Sequence, residues 1–121
     1  IHMVLSDRSR GLVGGVELSL MKPGAVLINT SRGPIVDETA LLAALNSRAI
    51  SAGLDTYDIE PLPADHPLRR APNTVLTPHL GYVSREGYRG FFDDTIANII
   101  AWHQGVPSRV LNTEVLGKER R

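Results

Sequence analysis

A chain of 121 residues is long enough for one domain with its own core. Thirteen basic residues balance thirteen acidic ones, which argues against nucleic acid or an anionic membrane as the main partner. There is no cysteine; this excludes disulfides, a thiolate nucleophile and cysteine-ligated metal, and makes a reducing cytoplasm the expected setting.

No apolar run approaches the roughly 20 residues of a transmembrane helix. Ile1 to Leu5 also lacks the basic start and long apolar core of a signal peptide. That opening reads as a strand end cut at its front, followed by a loop through Gly14-Gly15. Val16 to Met21 suits a short helix, broken by Lys22-Pro23-Gly24. Ala25 to Ile28 is a short apolar run with branched side chains, as in a parallel strand buried on both faces. The polar loop Asn29-Thr30-Ser31-Arg32-Gly33-Pro34 follows at its carboxyl end. Asp37 fits as an N-cap with Glu38 in the first turn. Leu41, Leu42, Ala44 and Leu45 form the apolar face of that helix, which ends near Ser47. Ile50 to Leu54 is a second strand, with Asp55 at its end. Tyr57 to Asn73 contains Pro61, Pro63, Pro67 and Pro72 and reads as a long extended loop; ordered loops of this kind usually serve a function. Thr74 to Thr77 is the third strand. Beyond Ser84, the spacing of Tyr88, Phe91, Phe92, Ile96, Ile99, Ile100 and His103 predicts a long helix over 84–104, stopped by Gly105 and Pro107. Val110-Leu111-Asn112 is expected to pack back, and 113–121 to form a flexible tail.

Strands alternating with helices specify an α/β fold with a parallel sheet. In such a sheet the strand ends lie on one edge, so Arg32, Asp55 with Glu60, and His79 can converge. Pro78 ends the pairing of the third strand, and Gly81 allows close approach of a backbone or ligand. A histidine paired with a glutamate is a general acid–base unit. The planar fork of Arg32 suits a carboxylate. Together they fit a substrate with a carboxylate beside a carbonyl or hydroxyl. Plainer roles fit the same residues. His79 could sit structurally in a strand-to-helix turn, Arg32 could pair with Asp37 or a helix end, Asp55 could cap a turn, and Glu60 could be a solvated loop residue. Ser31 has no nucleophile-elbow context. His2, His66 and His103 do not fall at metal-ligand spacing with a carboxylate pair, so no metal centre is expected.

The segments Met21 to Gly33, Gly53-Leu54-Asp55, Ile59-Glu60-Pro61-Leu62-Pro63 and Asn73 to Gly81 stand in an order and spacing that resembles the D-isomer-specific 2-hydroxyacid dehydrogenases, from about Ile1 to Asn112. The resemblance implies a partial Rossmann-like, doubly wound sheet: residues 1–112 would be the carboxyl-terminal half of a dinucleotide-binding domain, with the long helix leading on. It implies that Arg32 binds the substrate carboxylate and polarises the carbonyl, that His79 donates the proton in reduction, and that Glu60 bonds to His79. Asp55 would accept a hydrogen bond from the nicotinamide carboxamide of NAD or NADP. Thr30, Ser31 and Arg32, with His79, Leu80, Gly81 and Tyr82, would border only the nicotinamide half of that cofactor. Glu60 favours the 2-hydroxyacid branch over the related formate dehydrogenases, which carry glutamine there. His2 stands where the family has a histidine near the cofactor.

Two departures matter. The family's G-x-G-x-x-G phosphate loop and its substrate domain have no counterpart in this sequence, so the 121 residues alone are expected to be inactive. The expected function is a fragment of an oxidoreductase that moves a hydride between NAD(P)H and a 2-oxo acid. The alternative is a non-catalytic assembly or binding module of the same family. A half sheet with a bare edge also predicts self-association, as a dimer or other homo-oligomer.

Overall fold

The computed structural model describes residues 1–116 as two units, Ile1–Gly81 and a second one from Tyr82 onward. The first unit holds three parallel strands in the order β1 (Val26–Asn29), β2 (Ser51–Leu54), β3 (Thr74–Leu76). Helix α1 (Gly15–Ser19) precedes β1, and α2 (Glu38–Asn46) links β1 to β2.

Helix α2 starts where the chemistry requires it. Asp37 accepts the Ala40 N–H at 2.9 Å, filling one of the bonds a first turn leaves open. Leu41 and Leu45, one turn apart, are buried against the sheet. Each contributes on the order of 2 kcal/mol by leaving water. The sheet face beneath them carries Leu27, Ala52, Leu54 and Leu76. Ile50, Tyr57, Leu62 and Leu68 complete this core, so the proline-rich segment packs onto it as well.

The opposite sheet face differs from the expectation of a strand buried on both sides. Val26 is 60%, Ile28 55% and Val75 69% exposed. Side chains alternate along a strand, and α1 and α2 lie with the other face, so nothing in this unit covers these three. Three more expectations are corrected. Ile1 to Leu5 forms no strand; it is tethered to β1 by the Ile1 amino group on the Ile28 carbonyl at 2.7 Å and by Met3 N–H on Ser31 Oγ at 3.0 Å. The proline-rich stretch is not extended throughout. Pro67–Arg70 is a 3-10 turn, with Pro67 at its start and the His66 ring accepting the Leu68 N–H. Leu111 does not pack back but is fully exposed.

The second unit is α3 (Arg85–His103) with the segment on its carboxyl side. The Ser84 hydroxyl caps the helix by accepting the Gly87 N–H at 3.0 Å. Gly105, at φ 77, ends it in the left-handed conformation that glycine tolerates. Its aromatic residues touch, with Tyr88 edge-on to Phe91 at 6.5 Å between ring centres. Arg109 folds back onto Asp94 and Asn98, at 2.8 and 2.9 Å. Thr113–Val115 makes a further 3-10 turn, and residues 117–121 of the expected tail lie outside the described residues.

Candidate active site

Register sets the site. Asn29 of β1 is level with Leu54 of β2, which is level with Leu76 of β3. The three strands therefore end in line, and Thr30, Asp55 and Thr77 begin their exits side by side. Neighbouring exits are joined by main-chain bonds: Asp55 N–H to the Asn29 carbonyl, and Thr77 N–H to the Leu54 carbonyl, both 2.9 Å.

The first exit is shaped by Asn29. Its buried side chain accepts the Ser31 N–H at 3.1 Å and donates to the Arg32 carbonyl at 2.9 Å, closing an asparagine turn. Ser31 Oγ bonds to both main-chain groups of Met3, which carries the neighbouring His2 to this exit. Arg32 is exposed and bonds through Nη1 to the Ser31 carbonyl at 2.6 Å. Among the described residues no ion pair joins Arg32 to Asp37. Gly33 lets this loop press onto the next one. A Cβ there would overlap the Tyr57 carbonyl, so only glycine fits.

The second and third exits are locked together. The Asp55 carboxylate, 4% exposed, accepts the Leu80 N–H at 2.8 Å, the Gly81 N–H at 2.7 Å and the Thr77 hydroxyl. Burial pushes this carboxyl up, but those three bonds and the charge of His79 outweigh it and hold the group below its ordinary value. Gly81 lies so close that an added Cβ would stand 3.1 Å from Asp55 Oδ2 and 3.8 Å from the Thr30 Cβ. Asp55 thus caps the neighbouring loop rather than its own turn.

His79 sits at the crest of that loop in a left-handed conformation, φ 58. Its Nδ1 lies 2.7 Å from Glu60 Oε2, and both side chains are 34% exposed. Glu60 is held at its other oxygen by the Tyr57 N–H at 2.9 Å. Partial burial pulls the Glu60 carboxyl up. The His79 and Tyr57 hydrogen bonds, with the charges of His79 and Arg32, overcome this and keep it ionised below the usual carboxylate range. Glu60 is therefore no solvated loop residue, and it reaches across nineteen residues to its partner. A carboxylate on Nδ1 fixes the orientation of the ring, the arrangement of a general acid–base pair.

The structure thus brings Thr30, Ser31, Arg32, Asp55, Glu60, His79, Leu80 and Gly81 to one edge, whereas Tyr82 belongs to the second unit. Beside the pair opens a cleft of about 540 Å³ lined by Tyr57, Glu60, Pro61, Leu62, Arg69 and His79 among others. Among the described residues no cluster of three or more metal-ligating side chains occurs. Sequence reasoning missed Asn29, Tyr57 and Thr77. The asparagine two residues before Ser31 at a strand end was the one readable signal, since that spacing makes such a turn.

The sequence model of the D-isomer specific 2-hydroxyacid dehydrogenase NAD-binding domain matches residues 1–81. The chain is 42% identical over 118 residues to glyoxylate/hydroxypyruvate reductase B of Enterobacter agglomerans, covering 96% of this chain and 36% of that protein. It is 43% identical to glyoxylate reductase of Aeropyrum pernix, covering 96% and 35%. Among solved structures, a D-isomer specific 2-hydroxyacid dehydrogenase from Xanthobacter autotrophicus Py2 superposes with a TM-score of 0.75 at 39% identity, over 92% of this chain and 36% of that one. The chain spans about a third of the length of these relatives. A parallel α/β edge with these motifs and this match over most of its length belongs to the D-isomer specific 2-hydroxyacid dehydrogenase family, within its NAD-binding domain.

Proposed function

We propose that this chain is the nicotinamide-proximal segment of an NAD(P)-dependent reductase of short 2-oxo acids. The observation that carries the reading is the 2.7 Å contact of His79 with Glu60, on a carboxylate that also feels the charge of Arg32. An acid and a carboxylate binder side by side are what reduction of a 2-oxo acid asks of a protein. Arg32 holds the substrate carboxylate with its fork and draws electron density from the adjacent carbonyl. His79 Nε2 gives a proton to the carbonyl oxygen, and Glu60 stabilises the ring while it is charged. A nicotinamide held at this edge would supply the hydride.

The residues present fit the nicotinamide. Asp55 Oδ2 accepts one bond, from Gly81, and retains a lone pair for the carboxamide. Gly81 carries no side chain at this edge, where an added Cβ would stand 3.1 Å from Asp55 Oδ2. The reading includes a cytoplasmic setting, suited to a cysteine-free chain in which no helix of the described residues is long and apolar enough to cross a membrane. It also includes a homodimer.

The test is NADH and NADPH oxidation by the complete gene product, offered glyoxylate and hydroxypyruvate. Turnover of either, with Arg32→Met raising KM for the acid more than it lowers kcat, supports the reading. No turnover with either acid and either cofactor refutes it and leaves the binding-module alternative.

A further inference from the structure

Tyr57 is 7% exposed, and its main-chain N–H and its hydroxyl are both committed. Its main-chain N–H holds Glu60 Oε1 at 2.9 Å. Its hydroxyl lies 3.0 Å from the Leu54 carbonyl and 2.9 Å from the Thr77 carbonyl. The single hydroxyl proton is shared between the end of β2 and the exit of β3. The Leu54 carbonyl already receives the Thr77 N–H, so the bond that depends on Tyr57 is the one to Thr77. Thr77 stands two residues before His79, and Asp55 grips it from its side chain. Burial and the nearby Asp55 carboxylate raise the tyrosine's pKa, so the hydroxyl keeps its proton.

We propose that Tyr57 is a positioning residue for the His79–Glu60 pair, acting on both members at once. One end of the residue aims the glutamate; the other pins the strand exit that carries the histidine. The rigid, buried ring between them fixes the spacing of the pair. Packing alone would be served by phenylalanine, which fills the same space but leaves the Thr77 carbonyl without its donor. This inference rests on the reading of His79 and Glu60 as the acid–base unit.

The test is Tyr57→Phe in the complete gene product. Two measurements are made, side-chain 15N resonances of labelled histidine and steady-state kinetics with NADH and a 2-oxo acid. The His79 resonances should move while those of His66, which faces Glu38 at 3.1 Å, stay in place. The kcat should fall about tenfold with KM for NADH within about twofold, the scale of one lost bond that sets reacting geometry. A structural role alone would lower the melting temperature and leave both readouts unchanged, and that result overturns the inference. Unmoved His79 resonances overturn it whatever the kinetics. A parent protein with no reductase activity refutes the proposed function instead, and the resonances still decide whether Tyr57 holds the pair.

Discussion

Replacing Asp55 by asparagine removes one charge and turns one acceptor into a donor. In the structure Oδ1 takes the Leu80 N–H and the Thr77 hydroxyl, and Oδ2 takes the Gly81 N–H. An asparagine oxygen can keep the first two. Its amide nitrogen must then face the Gly81 N–H, donor against donor, in a site that is 4% exposed. A hydrogen bond to a charged group is worth about 1.5–3 kcal/mol, and a buried donor left without an acceptor adds to the loss. The expected destabilisation is therefore about 3 kcal/mol at neutral pH, read from the urea midpoint at an unchanged slope. The loss should depend on pH with a definite sign. Asp55 is held below its ordinary value in the folded protein, so the unfolded chain binds the proton first as pH falls. Its contribution is complete above the unfolded carboxylate value of about 3.9 and disappears as pH drops through the lower folded value. Parent and variant should thus converge in acid. A variant as stable as the parent at pH 7, or a gap that stays constant below pH 4, would refute the account of Asp55 as the clamp of the Thr77 to Gly81 loop.

Three further changes probe other parts of the site. Glu60→Gln keeps an acceptor for the Tyr57 N–H but removes the charge beside His79, and kcat/KM should drop about a hundredfold with little change in melting temperature; activity within about threefold of the parent would count against the pair. Gly33→Ala drives a methyl group into the Tyr57 main chain and should cost about 3 kcal/mol or prevent folding; a normal urea midpoint would mean that the two loops do not meet as described. Thr56 is 2% exposed, and its hydroxyl has no partner among the described residues. Thr56→Val should therefore raise stability by about 1 kcal/mol, and a lower midpoint would show that the hydroxyl is satisfied after all.

The parts of the chain that could be read in advance are those set by short-range chemistry. Asp37 before an apolar helix face, Ser84 before a long one, and the glycine at 105 are local signals, and the structure has caps or stops at each. The parallel order followed from alternation of elements, and with it the meeting of Arg32, Glu60 and His79 on one edge. Burial was harder to read. Val26 and Ile28 look like residues enclosed on both sides, yet whether a strand is covered depends on elements distant in sequence. Tyr57 was equally hidden: an aromatic after a strand end looks like core, and only the fold shows that its hydroxyl reaches Thr77, twenty residues on. The 3-10 turn at Pro67–Arg70 escaped because four prolines suggest extension, whereas proline at a first turn also starts one.

The backbone of His79, at φ 58, limits how a blank version of this site can be made. Alanine would remove the imidazole but would still carry a Cβ in the left-handed region, at a cost of about 1–2 kcal/mol for most residues. A branched residue would fare worse. The loop would then be free to relax, and any lost activity would mix missing chemistry with a moved backbone. Asparagine tolerates that conformation by hydrogen-bonding locally. His79→Asn is accordingly the substitution that silences the ring while leaving Leu80 and Gly81 on Asp55, and it is the right reference protein for ligand-binding measurements at this edge.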